Sequence, residues 1–139
     1  MARDNDRITL THRSDTAIDA DASTRYFPLD RPMLITKVAV VPVTPADADS
    51  DTIAIDVSYS TDGFSSSDVE VAALAAVEYN DTDNDLGTAF TAVNIPLTAA
   101  STVDGRVRVP AGAVIRTTIT WTGAPADGVV DLNVIGQAV

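Results

Sequence analysis

The chain has no cysteine, one histidine, one lysine and two glutamates among its 139 residues. Each scarcity removes a class of function. Without cysteine there is no disulfide framework and no thiolate chemistry. With His12 as the sole histidine, a Ser–His–Asp triad has a single candidate base, and no Gly-x-Ser-x-Gly elbow accompanies it. His12 therefore reads as a satisfied or solvent-facing side chain. Glu70 and Glu78 are the only glutamates. Paired carboxylates serve glycoside hydrolysis, but a chain this rich in Asp produces acidic pairs by chance. No phosphate-binding glycine loop and no dinucleotide fingerprint occurs. No apolar run approaches the ~18 residues of a membrane span. The segment Met1 to Arg7 lacks the apolar stretch of a signal peptide. The expectation is a soluble, non-enzymatic protein made without an export signal.

What is abundant is aspartate. Eighteen of the twenty acidic residues are Asp, and eight of the nine bases are Arg. The formal net charge is -11 and the sequence pI ≈ 4.1. Such a balance argues against nucleic-acid binding through a basic face. Asp holds water and avoids the long apolar stems that lysine exposes. Self-repulsion is strong in dilute buffer. It is screened in concentrated salt, where the Debye length falls to about 3 Å at 1 M. The composition points to a protein adapted to high salt.

At this length the chain reads as one domain with a real core. Residues 1–23 are polar and without sustained period, and are expected to form an N-terminal arm, extended or disordered on its own. Ile8, Leu10 and Ile18 are its only anchors. The β-domain is expected over 24–139. Residues 25–29 read as an edge strand, because Pro28 cannot donate to a central ladder. Met33 to Val43 is a long apolar run. Thr52 to Ser60 alternates, with Ile53, Ile55, Val57 and Tyr59 on one face. Thr61-Asp62-Gly63 is a turn. Val69 to Tyr79 is ambiguous: Ser67 and Glu70 have capping-box spacing and alanines favour helix, while valines at odd positions favour strand. Strand is preferred. One or two strands surround Pro96. Val103, Val107 and Val109 are expected to point one way, opposite Arg106 and Arg108. Ile115, Ile119 and Trp121 share a face, as do Val130, Leu132 and Val134. Short strands at regular spacing with turn signals give an all-β protein, a β-sandwich or barrel.

Two loops repeat one spacing: Asp47-x-Asp49-x-Asp51 and Asp81-x-Asp83-x-Asp85. Alternate oxygens along a curved loop are how a backbone wraps Ca²⁺. In the second, Leu86 stands where an EF-hand loop needs its turn glycine, and Ala92 where it needs a glutamate. Hydrated loops and a bound calcium ion are both open. No other cofactor is indicated. Arg106, Arg108 and Arg116 concentrate positive charge on outward strand faces. They read either as a contact for an acidic neighbour, including another copy of the chain, or as cross-strand partners of Asp.

The order of these pieces resembles the small jelly-roll head decoration proteins of tailed double-stranded DNA viruses, also called cement or turret proteins. The resemblance runs over roughly residues 30–139. It is carried by Ile95-Pro96-Leu97-Thr98-Ala99-Ala100, by Val107-Arg108-Val109-Pro110-Ala111-Gly112-Ala113-Val114-Ile115, by Thr118-Ile119-Thr120-Trp121-Thr122-Gly123, and by a last strand led by Gly128. It implies a single jelly-roll-like antiparallel sandwich and a virion protein that binds the capsid surface non-covalently. Its partners would be the major capsid protein or other virion proteins and further copies of itself, as a trimer. With the composition, it suggests a virus of a halophilic archaeon. On that reading Arg3, Arg7 and Arg13 meet acidic capsid residues while Ile8, Leu10 and Ile18 dock into capsid grooves. The rival expectation is a carbohydrate-binding or host-adhesion module, which needs exposed aromatics. With Trp 1, Tyr 3 and Phe 3 there are few to spare.

Overall fold

The computed structural model describes residues 6–14, 22–44, 52–78, 86, 88–122 and 128–139. Nine strands account for most of them: β1 (Arg7–Arg13), β2 (Ala22–Pro28), β3 (Met33–Thr44), β4 (Thr52–Ser60), β5 (Val69–Glu78), β6 (Val93–Ile95), β7 (Val107–Val109), β8 (Val114–Thr122) and β9 (Val129–Ala138). The strands pair in two antiparallel sheets. The first runs β1–β9–β3, with β6 and β7 both on the far side of β3. The second runs β2–β8–β4–β5. With β6 and β7 taken as one interrupted strand, eight strands are wound as two Greek keys, which is jelly-roll wiring.

Period-two patterning makes the sandwich. Ile53, Ile55 and Val57 of β4 and Ile115, Ile119 and Trp121 of β8 face Val38 and Val40 of β3 and Leu132 and Val134 of β9, all buried. Full burial of each large aliphatic side chain contributes about 1.5–3 kcal/mol. Pro28 does lie in an edge strand, β2. Pro96 ends β6, and the chain then leaves the first sheet to bridge Leu97 to Ala72 of β5, where Thr98 N–H donates to Val71 O at 2.9 Å. The Ser101 hydroxyl bonds the Glu70 carbonyl. This excursion closes one side of the sandwich before β7 resumes beside β3.

Three expectations are corrected. Residues 7–13 are not an arm: β1 pairs with β9 along its whole length, from Arg7↔Gln137 to Arg13↔Asp131. The β-domain therefore begins before residue 24, since Ala22 and Ser23 already belong to β2. Val103 is 76% exposed, away from the inward Val107 and Val109. It sits at the mouth of a two-residue hairpin through Asp104 (φ 53) and Gly105 (φ 73), which resets the inward–outward parity. Residues 69–78 are strand, with two bulges against β4, so that both Val71 and Ala72 are buried.

Candidate functional site

The outward face of the first sheet sorts charge in an unexpected way. Its lowest row crosses four strands: Arg7 of β1 is opposite Gln137 of β9, Gln137 opposite Leu34 of β3, and Leu34 opposite Arg108 of β7. The next row is Thr9, Ile135 and Lys37. Above it come Thr11, Asn133, Ala39 and Asn94, where the Thr11 hydroxyl donates to Asn133 Oδ1 at 2.8 Å. Then Arg13 meets Asp131 side by side, with Nε to Oδ1 at 2.8 Å and Nη2 to Oδ2 at 2.9 Å. The hydrogen bond first, and the charge second, raise the Arg13 pKa above its ordinary value. Asp131 is spent on this pair. Among the described residues, Arg7, Lys37 and Arg108 make no ion pair.

Local geometry opens a depression in this face. Between Ile35 and Lys37 the β3–β9 register shifts, and Thr36 is the extra residue. Opposite stands Gly136, with no side chain. The result is a shallow cavity of about 400 Å³ lined by Arg7, Thr36, Lys37, Ile135, Gly136 and Gln137. Two cations, an amide and a hydroxyl surround an apolar patch. A carboxylate side chain fits such a site: the bases attract it and the amide and hydroxyl supply further hydrogen bonds. At the opposite edge of the same sheet Phe90 is 75% exposed, with its N–H on Pro42 O at 2.7 Å. Its φ of 61 is uncommon for a bulky residue. Phe90 thus stands at the end of β3 away from the Arg7–Arg108 row, and the basic patch itself is arginines and a lysine around the half-buried Leu34 and Ile135.

The residues expected to make contacts are divided by this arrangement. Arg7 and Arg108 come together in one row, with Arg106 next to them in sequence and exposed. Arg116 does not join them, because β8 belongs to the other sheet. Ile8 and Leu10 pack against the protein's own core rather than standing free to dock elsewhere. Arg3, Ile18, Asp47, Asp49, Asp51, Asp81, Asp83 and Asp85 lie outside the described residues. Among the described residues no group of three or more His, Asp or Glu is placed to hold a metal ion. Lys37, Gln137 and Ile135 escape sequence reasoning. The sole lysine stands in an apolar run, and only the bulge at Thr36 turns it outward.

The other sheet carries a second cluster on its outward face. The Ser60 hydroxyl accepts the N–H groups of Asp62 and Phe64 at 3.1 and 3.0 Å, and donates to Asp62 Oδ1 at 2.6 Å. Asp62 Oδ2 accepts from the Ser66 N–H and hydroxyl at 3.2 and 2.6 Å. These bonds, that from Ser60 above all, hold the Asp62 carboxyl well below the usual carboxylate range. They also fix Phe64 at φ 63, a strained conformation costing about 1–3 kcal/mol. Its ring then lies edge-on to Tyr26 at 6.1 Å and under the Arg116 guanidinium at 4.2 Å. Arg116 Nη2 also reaches Asp68 at 3.4 Å.

The Asp62 network gives a pH prediction. A carboxylate with a depressed folded pKa contributes stability above its unfolded value, and that stability is lost as pH falls toward the folded value. Asp62→Asn should lower the melting temperature at neutral pH, because an amide NH₂ faces the Ser66 donors. The gap from the parent should begin to narrow as pH falls below about 4, where the unfolded chain's carboxyl takes up a proton that the folded carboxylate still refuses. Thermal melts of both proteins across that range check it; a constant gap would exclude the charge as its source.

His12 is a strut between the sheets. It is 0% exposed, with Nδ1 at 2.8 Å from Thr117 Oγ1 and Nε2 at 2.8 Å from Ser23 Oγ. Both ring nitrogens are engaged by hydroxyls across the core, and the imidazole is out of reach of solvent. No protein-family model matches the chain, and the comparison with curated proteins finds no match.

Proposed function

We propose that this protein is a structural, non-catalytic component of a virion that decorates the capsid surface. The observation that carries the reading is the basic, partly apolar face of the first sheet in a molecule of net charge -11. Such a face selects an acidic partner. An acidic major capsid protein is that kind of partner, and jelly rolls recur in viral capsids. Docking would place an acidic side chain in the depression between Arg7 and Lys37, with Arg108 in the adjoining row. Attachment is binding alone: apolar burial supplies affinity, and the three cations supply steering and register.

The test is sedimentation with undecorated capsids. The triple variant Arg7→Glu, Lys37→Glu, Arg108→Glu should bind about a hundredfold more weakly or worse. Each reversal loses an attraction and adds a repulsion of about 1 kcal/mol, and every 1.4 kcal/mol is tenfold. Arg116→Glu, on the opposite sheet, should bind like the parent. Equal binding by parent and triple variant would move attachment off this face, and purified virions without the protein would end the reading.

A further inference from the structure

The second cluster takes no part in that docking, and its construction asks for a ligand of its own. We propose that Tyr26, Phe64, Arg116 and Asp68 form a binding site for a neutral hexopyranose, a six-membered sugar ring. The inference does not rest on the virion reading, because the site lies on the other sheet and is complete within one chain.

Three observations carry it. First, Tyr26 is 60% exposed on edge strand β2, while its neighbour Phe27 packs on the core. The Tyr26 ring is thus not core material that has spilled outward. Second, Phe64 is fixed in a left-handed backbone conformation by the Ser60–Asp62 network. Strain held this firmly gathers at functional sites. Here it places a second ring edge-on to the first, bracing Tyr26. Third, the polar groups are of both kinds. The Arg116 guanidinium lies over the Phe64 ring, so its plane is fixed while its edge keeps N–H donors beyond the one given to Asp68. Asp68 is half-exposed and offers acceptors.

These groups match one chemistry. A pyranose presents a face of C–H bonds with partial positive charge, which stacks on the negative face of an aromatic ring. Its rim is hydroxyls, each both donor and acceptor, which fit a guanidinium beside a carboxylate. The Phe64 face is occupied by Arg116, so Tyr26 supplies the open platform. Arg116 and Asp68 sum to zero charge, which favours a neutral sugar over a uronate or a sulfated one. A cationic ligand meets Arg116 already in place. An apolar peptide meets Thr24 and Thr118 in the adjoining positions, where hydroxyls suit a sugar better. The rival expectation of a sugar-binding module, which lacked aromatics in the sequence, finds two of them brought together here.

The experiment is a nuclear magnetic resonance titration of the full chain with methyl glycosides of glucose, galactose and mannose. At least one should shift the Tyr26 and Phe64 ring resonances saturably, with a Kd in the millimolar range, on the order of 1–10 mM. Tyr26→Phe should retain that binding. Tyr26→Ala should weaken it at least about tenfold while amide spectra show the sandwich intact, as an exposed edge residue allows. If no glycoside shifts the rings, or if Tyr26→Ala binds as well as the parent, the proposal is overturned. The Arg7, Lys37, Arg108 triple variant should bind the sugar like the parent, which keeps this test separate from the docking one.

Discussion

Gly136→Ala should destabilise the protein by at least about 3 kcal/mol, the upper part of the range for overpacked interiors, and lower its melting temperature by roughly 10 °C or more. A Cβ at Gly136 falls 2.1 Å from Leu34 O, 2.9 Å from Leu34 C and 3.0 Å from Ile35 Cα. All three are backbone atoms, so no rotamer change relieves the contact. Gly136 lies in β9, bonded to β1 on one side and β3 on the other, opposite Ile8 and Ile35. Moving β9 away breaks two ladders, and moving β3 shifts Met33 and Ile35, both fully buried. Glycine inside a strand marks such a close approach of backbones. The approach follows from the bulge at Thr36, the same feature that opens the depression between Arg7 and Lys37. A parent-like melting temperature for Gly136→Ala would mean that β3 and β9 are not packed this closely. Even a mildly destabilised variant should bind acidic partners poorly, because the bulge and the floor of the depression are one construction.

The sandwich was legible in the sequence where the period was clean. β8 and β9 alternate without interruption, and β4 does so through Val57, beyond which Ser58 and Ser60 are buried and Tyr59 only half-buried. β1 alternates too, but its inward positions are Ile8, Leu10 and His12. An inward histidine looks polar until Thr117, more than a hundred residues later, supplies its partner. β5 hid because its bulges break the period twice, burying two neighbours at once. Val103 was misjudged because parity does not survive a two-residue hairpin. The candidate sites were legible only in part. That Arg108 and Arg116 point outward is local information. Which sheet each belongs to is fixed by pairings far away in the chain, so one apparent patch is two. Tyr26, Phe64 and Arg116 come from a strand, a turn and another strand, and no spacing rule joins them. Gly136 is one glycine among seven until the backbone opposite it is known.

The second large effect is of salt. The melting temperature should rise by 10 °C or more, in round terms about 2–3 kcal/mol, between 0.1 M and 2 M KCl. The described residues carry nine acids and eight bases and are almost neutral. The strand ends at Ser14, Ala22, Thr44, Thr52, Glu78 and Thr122 gather at one end of the sandwich, as the pairings Arg13↔Asp131, Ala22↔Thr120, Thr44↔Val129 and Thr52↔Glu78 require. Between those ends the sequence holds ten of the eighteen Asp and no Lys or Arg. These ten Asp lie in segments outside the described residues that join those strand ends, and the row of Arg7 and Arg108 lies at the other end of the sandwich. Folding brings the strand ends that flank these acidic segments together. At 0.1 M the Debye length is about 10 Å, comparable to strand-end spacings, while at 1 M it is about 3 Å. Screening therefore favours the folded state more than the extended chain. Replacing Asp47, Asp49, Asp51, Asp81, Asp83 and Asp85 by Asn should remove more than half of the salt dependence. Replacing Asp6, Asp30 and Asp104 should change it little, since bases offset acids in their part of the molecule. Differential scanning calorimetry of the three proteins over that salt range decides the matter. A flat parent would remove the high-salt reading, and equal slopes for both variants would mean that the charge acts as a whole rather than at one end. If the slopes differ as expected, the protein is an electrostatic dipole: an approaching acidic surface repels the Asp-rich end and meets the Arg7–Arg108 row first.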